Sequence, residues 1–348
     1  MKAAAADAVR ESLASWFARR LGVGQVEVTD LRRHAEGFSW QTYTLTVTWQ
    51  EAGGWRSAGY AVRRQPEDGL LPPYDIETQY RLHEALLAHS RIPLPRLYWL
   101  ETDPAVLGMP FYVMERMEGV VPVQWRGNDP DIFPDEARRR AIGEDFVSTL
   151  ALIHQVDPVA AGLHFLPGET DTDASARAQI DHWESFYEES RLMEVPLLRF
   201  LIGFLRRHLA TSGRGGLVHG DYRIGNFMLG PDGKINAVFD WELAHIGDVV
   251  FDLAWAAMPL FRGRSPLVSQ LLPRDEFLRR YRELTGLEVH EEVFRFWTLF
   301  GHLRAAAPHL RGSRAFEDGR TNDLRLAAMG HQSLYILRQL VTELGWRG

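Results

Sequence analysis

Residues 217–229 read LVHGDYRIGNFML, and residues 237–248 read AVFDWELAHIGD, so two apolar runs are broken by a glycine, an aspartate, an arginine, another glycine and an asparagine. His219, Asp221 and Asn226 fall on the spacing H-x-D-x-x-x-x-N, and Asp240 lies fourteen residues beyond Asn226 at the end of the run INAVFD. The intervening GPDGK is turn chemistry that folds Asp240 back toward Asn226. A loop carboxylate near a second carboxylate and an asparagine amide suits phosphoryl transfer. One carboxylate can accept a hydroxyl proton, and hard oxygen ligands can hold Mg²⁺ against a nucleotide's phosphates. The bland alternative is that Asp221 and Asn226 only bond their own backbone in a turn; Asp240, after a strand-like run, argues against it. His219 reads as a packing and hydrogen-bonding residue of the loop rather than a proton carrier.

The elements that must position these residues change character near residue 120. Before it, TYTLTVTWQ alternates with period two, EAGG makes a turn, and WRSAGYAVRRQP resumes the alternation, which is a hairpin signature. DIETQYRLHEALLAHS then carries apolar residues at helical spacing, and PFYVMERMEG reads as a further strand. After residue 120 helical patterns dominate, from PDEARRRAIGEDFVSTLALIHQV to DLRLAAMGHQSLYILRQLVTEL. The expected architecture is α+β and bilobal, with a small β-rich lobe over residues 1–119 and a larger helical lobe over 120–348. MEGVVPVQWRGNDPDIFP is the candidate linker. Tryptophans and phenylalanines in ESLASWF, HWESFY and FRFWTLF recur at helical spacing and read as core.

Composition narrows the function classes. The 348 residues, 45% hydrophobic, suffice for a sizeable core, and the absence of cysteine excludes disulfides, thiolate metal sites and a cysteine nucleophile. The net charge of −7 is spread without a basic stripe, so nucleic acid is not an expected partner. No window approaches the ~20 apolar residues of a membrane span, and Asp7, Arg10 and Glu11 interrupt the apolar core a signal peptide needs. The expectation is a soluble, cytoplasmic protein without a membrane partner, its oligomeric state open.

LVHGDYRIGNFML followed by AVFDWELAHIGDVVFDLAW resembles the aminoglycoside phosphotransferase family, in particular small-molecule kinases related to the kinase domain of acyl-CoA dehydrogenase fusion proteins. The resemblance runs from HAEGFSWQTYTL through FDLAW and fades in the last helices. It implies a protein-kinase-like fold binding ATP between its lobes, with Asp221 as the base or hydroxyl-orienting residue and Asn226 and Asp240 as Mg²⁺ ligands. Asp252 would support the catalytic loop. In VMERMEG the backbone of Arg116 and Met117 would meet the adenine, with Met114 behind it.

Three departures from the family pattern bear on activity. The phosphate-binding lysine of the third strand is absent; YAVRRQP offers Arg63 or Arg64, and strand alternation sends the two to opposite faces, with Arg63 on the nucleotide side. The related branch commonly has arginine there. The helix glutamate that would pair with that cation is replaced by Gln79, which brings hydrogen bonds and no charge. AEGFSWQTY has a single glycine where protein kinases carry a glycine-rich cover, so backbone groups near Phe38 and Ser39 are expected to approach the phosphates.

The expected function is ATP- and Mg²⁺-dependent transfer of a phosphoryl group to the hydroxyl of a small molecule. A protein kinase is disfavoured, because the interval from Asp240 to Asp252 is too short for a peptide-docking loop. A silent, nucleotide-binding pseudokinase is the alternative of another class, motivated by Gln79 and the missing lysine. For the acceptor, residues 290–348 hold eight arginines against six carboxylates, with Arg304, Arg311 and Arg314 close in sequence. That favours a neutral or anionic acceptor such as a sugar, hydroxy acid or hydroxyacyl thioester over a polycationic aminoglycoside.

Overall fold

The computed structural model describes residues 3–34, 40–67, 69–123 and 129–346; Phe38 and Ser39 lie outside them. By internal contacts the chain divides into one unit of Met1–Ala88 with Leu94–Glu118, and another of His89–Pro93 with Gly119–Gly348. The short His89–Pro93 stretch belongs to the second unit although its neighbours in sequence belong to the first. Its anchor is the Pro93 carbonyl, which accepts from the Val238 amide at 2.9 Å.

The first unit is built on a five-stranded antiparallel sheet. In chain order its elements are α1 (Ala3–Leu21), β1 (Val26–His34), β2 (Gln41–Glu51), β3 (Gly54–Arg64), α2 (Ile76–His89), β4 (Leu97–Glu101) and β5 (Phe111–Glu115), with strand order β1-β2-β3-β5-β4. The β2–β3 hairpin pairs Glu51 with Gly54 across a two-residue turn and holds its register to Gln41 and Arg64. Alternation along β3 then decides what each face buries. Tyr60 and Val62 join Leu13, Trp16 and Phe17 of α1 in one core, while Ala61 joins Trp40, Met114 and Ile76 of α2 in another. Asp75 starts α2 by accepting from the Glu77 and Thr78 amides.

The second unit comprises α3 (Glu136–His154), α4 (Thr172–Ser190), α5 (Pro196–Arg207), β6 (Gly215–Val218), β7 (Phe227–Leu229), β8 (Ile235–Val238), β9 (His245–Asp248), α6 (Val250–Ala256), α7 (Arg274–Thr285), α8 (Glu291–Glu317) and α9 (Leu324–Glu343). Asp135 is the N-cap of α3 and accepts from the Arg138 amide at 2.7 Å. The long α8 packs against α4, α5, α6 and α9. Two small antiparallel ladders, β6–β9 and β7–β8, stand beside the helices and carry residues 219–226 and 239–244 between them. Among the described residues no helix is long and apolar enough to cross a membrane.

Candidate active site

The β7–β8 hairpin pairs Phe227 with Val238, and the ladder continues one step as the Phe239 amide donates to the Asn226 carbonyl at 2.8 Å. That step carries Asp240 back beside Asn226. Asp240 itself has φ 60° and ψ 55°, the left-handed region that an L-residue occupies at a cost of order 1 kcal/mol or more. At the other end of the loop Gly220 has φ +84°, and a Cβ there would lie 2.3 Å from the Leu243 carbonyl oxygen, so only glycine fits.

Asp221 is held through both carboxylate oxygens. Its Oδ1 accepts from the Trp255 indole at 2.7 Å and from Arg223 Nε at 3.1 Å; Oδ2 accepts from the Asn226 amide nitrogen at 2.7 Å. The same Asn226 nitrogen also reaches the Asp221 carbonyl at 2.8 Å. With its nitrogen committed to Asp221, the buried Asn226 presents its amide oxygen as the group left for a hard cation. The Asp221 side chain keeps 18% of its surface exposed, enough to meet a ligand.

Beneath the loop, Asp252 is fully buried. Its Oδ1 accepts from the Gly220 amide at 2.9 Å, and its Oδ2 from the His219 amide at 2.7 Å and from His154 Nε2 at 3.1 Å. His154 in turn has the Tyr281 hydroxyl at 2.7 Å on Nδ1. Burial would raise the Asp252 pKa, but the His154 bond and the loop amides outweigh it and hold the carboxyl below its ordinary value. His219 is also buried. Its Nδ1 accepts from the Asp221 amide at 3.1 Å, which leaves Nε2–H to donate to the Phe239 carbonyl at 2.8 Å. Burial pushes its pKa down, so it stays neutral with both nitrogens engaged.

In the first unit, Arg63 and Arg64 are both buried, and their surroundings differ as strand alternation requires. Arg64 is tied to the fold, donating to the Leu107 carbonyl at 2.8 Å and Gln41 Oε1 at 2.9 Å and meeting Glu67 at 3.3 Å. Arg63 lies over the Trp40 ring at 5.1 Å, on the sheet face that carries Met114 and α2. Gln79 is half-buried on α2. The buried His83 of the same helix feels Arg63; it bonds the Pro95 carbonyl at 2.8 Å and is pushed down to about 4, chiefly by burial. After β5, the Arg116 amide makes a long bond to the Gly59 carbonyl at 3.5 Å and its side chain bonds Thr46 at 3.0 Å. Half-buried Met117 follows it in irregular backbone.

The three arginines expected at an acceptor site are not gathered into one patch. All lie on the α8 surface that meets α4, in sequence order: Arg304 over Trp183, Arg311 over Phe186, and Arg314 donating to the Glu189 carbonyl at 2.7 Å at the end of α4. From Arg304 to Arg314 is about 15 Å along a helix. Arg314 thus bonds the end of α4, and Arg311 packs on that helix. Arg304 is different. It is 3% exposed, and burial pulls its pKa down to about 10 while Asp221 and Asp252 pull it up. Sequence reasoning did not single out Trp255 or Arg223, both of which touch Asp221. Trp255 is buried, and its indole N–H donates to Asp221.

Known proteins resemble this chain in sequence and in fold. Over 312 residues, 86% of the chain, it is 28% identical to acyl-CoA dehydrogenase family member 10 of Mus musculus, of which the match covers 28%. The chain thus spans about a third or less of the length of such relatives. A Ralstonia eutropha protein assigned as an aminoglycoside phosphotransferase superposes with a TM-score of 0.72 at 25% identity, over 97% of this chain and 96% of that one. A thermostable mutant of the aminoglycoside phosphotransferase APH(4)-Ia, solved with AMP-PNP and hygromycin B, gives a TM-score of 0.57 at 18% identity, over 94% and 98% of the two chains. Residues 30–297 match the model of the phosphotransferase enzyme family, and that span contains the sheet with Arg63, the loop with Asp221 and Asn226, and Asp240 and Asp252. With its α+β, kinase-like fold, the chain belongs to that phosphotransferase family.

Proposed function

We propose that the protein transfers the γ-phosphoryl group of ATP to a hydroxyl of a small molecule, with Asp221 orienting that hydroxyl. The observation that carries this reading is the division of labour at Asn226. Its amide nitrogen fixes the Asp221 carboxylate, and its oxygen is left to join Asp240 as a hard ligand. A Mg²⁺ ion held by Asn226 and Asp240 would neutralise nucleotide phosphates. Arg63 takes the role of the missing lysine and spreads phosphate charge through its fork. The Arg116–Met117 backbone meets the adenine, with Met114 lining that side. Asp221 accepts the hydroxyl proton as the new P–O bond forms, so catalysis rests on positioning and charge. ATP is supported by the AMP-PNP complex of the related fold.

The acceptor is neutral or anionic. Support comes from the second unit, where residues 290–348 hold eight arginines against six carboxylates. A polycationic aminoglycoside would meet repulsion there. A sugar, a hydroxy acid or a hydroxyacyl thioester fits, the last consistent with relatives named as acyl-CoA dehydrogenases. The test is ADP release from ATP and Mg²⁺ over hydroxylated cationic, neutral, carboxylate and CoA-linked compounds. Efficient turnover of kanamycin-like compounds would overturn the acceptor assignment and leave the kinase standing. Nucleotide binding without turnover on any compound would favour the silent module.

A further inference from the structure

Arg304 presents a physical problem. It is 3% exposed, and among the described residues neither Nη1 nor Nη2 has a hydrogen-bond partner. Its guanidinium is enclosed by ring faces, with Cζ at 4.1 Å from the Trp255 centroid, 5.1 Å from Phe251 and 5.4 Å from Trp183. Cation–π contacts return roughly 0.5–2 kcal/mol each. Burying a charge without hydrogen bonds costs several kcal/mol, and a methionine of similar length would fill the space without that penalty. Packing alone does not account for an arginine here.

The nearest ring shows what the charge does. Trp255 presents its face to Arg304 and its N–H edge to Asp221 Oδ1 at 2.7 Å. Gly301, one turn before Arg304, packs closely on Met258, whose Sδ would lie 2.6 Å from a Cβ there. A cation on the face of an indole polarises it and makes its N–H a stronger donor. Arg223 already bonds Oδ1 through Nε at 3.1 Å, and a second arginine forked onto Asp221 would crowd the carboxylate. With the indole interposed, Arg304 adds positive charge near Asp221 without itself bonding the carboxylate, and Oδ2 accepts from Asn226.

We propose that Trp255 and Arg304 form a positioning pair for Asp221. The indole N–H fixes Oδ1, and the guanidinium stacked behind it supplies positive potential without covering the carboxylate. The catalytic part of this inference rests on the proposed phosphotransferase reading; the geometric part does not. Arg304 remains protonated at neutral pH, since burial brings it only to about 10.

The experiment begins with the indole N–H signals of ¹⁵N-labelled protein, which has eleven tryptophans. Trp255→Phe should delete one signal, and Asp221→Asn, at a partly exposed side chain, assigns the same signal independently should Trp255→Phe fail to fold. Arg304→Met should move that signal upfield, and Arg304→Lys should restore part of the shift. On the acceptor found by ADP release, Trp255→Phe and Arg304→Met should each lower kcat by about 10–100-fold, the loss that follows misplacement of a reacting group, with KM for ATP within about twofold. Arg304→Met should melt at the same temperature as wild type or higher. An indole signal indifferent to Arg304→Met overturns the pair whatever the screen finds. So does an Arg304→Met protein that melts several degrees lower with kcat unchanged, because Arg304 would then be packing. A signal that responds to both Asp221→Asn and Arg304→Met while no compound releases ADP supports the pair and removes the phosphotransferase reading instead.

Discussion

Replacing Asp252 by asparagine keeps the side chain's shape and removes one acceptor and one charge from the base of the loop. Asp252 accepts the His219 amide and His154 Nε2 on one oxygen and the Gly220 amide on the other. The amide of an asparagine can offer its oxygen to only one side. Its better orientation keeps His219 and His154 and turns its NH₂ against the Gly220 N–H, losing one charge-assisted bond of about 1.5–3 kcal/mol. The two remaining bonds drop to roughly half strength, and relief of the buried charge returns part of the loss. The net is about 2–4 kcal/mol, or a fall of about 4–16 °C in melting temperature for a unit of this size. The pH dependence supplies a second check. A carboxyl whose folded pKa is lowered contributes stability that is fully present above its unfolded value, ~4, and is lost as pH falls through the folded value. The gap between wild type and Asp252→Asn in thermal melts should therefore be constant from about pH 5 to 7 and close below about pH 4. A gap under about 2 °C at neutral pH, or one that persists unchanged in acid, would refute the account of the loop's support.

Asp221→Asn should lower transfer by about 10²–10⁴-fold with Mg²⁺–ATP affinity nearly unchanged; near-wild-type turnover on the acceptor would take Asp221 out of the mechanism. Arg63→Met should cut turnover by about 10–1,000-fold with little change in melting temperature. Arg64→Met should do the reverse, because Arg64 is tied to Leu107, Gln41 and Glu67, and similar effects from the two would refute the assignment of faces. His302 is held down to about 4 by burial, so it protonates in the unfolded chain as pH falls below its ordinary 6.5 and the folded state loses stability between those values. At pH 5 that loss is about 2 kcal/mol. His302→Leu should shrink the fall in melting temperature between pH 7 and 5 by roughly 4–8 °C, and an unaltered slope would show that His302 does not titrate with unfolding.

What could be read from the sequence was what depends on neighbours in the chain. The β2–β3 hairpin announced itself through period-two alternation and EAGG, and the same alternation separated Arg63 from Arg64 before any fold was known. GPDGK carried Asp240 back to Asn226 because a short turn constrains register locally. What spacing does not supply lies where distant helices meet. Spacing made Arg304, Arg311 and Arg314 look like one basic patch, but their surroundings are set by α4, more than a hundred residues earlier. Likewise Trp255 follows the apolar rhythm of FDLAW, and nothing in that rhythm says that its one polar atom faces a carboxylate thirty-four residues upstream.

The same bonds decide between a turn and a site. An aspartate that serves only a turn bonds its own backbone a residue or two on. Asp221 instead accepts from the side chains of Arg223, Asn226 and Trp255, one of them on another helix. The turn's own needs are met from below by Asp252, which satisfies the His219 and Gly220 amides. One carboxylate thus supports the loop's backbone so that the other need not, and the second is held by side chains alone, with part of its surface open. Stability would be served as well by burying both. Asp221, fixed yet partly accessible, with Asp240 held at φ 60° beside Asn226, is the arrangement that the proposed role requires of them.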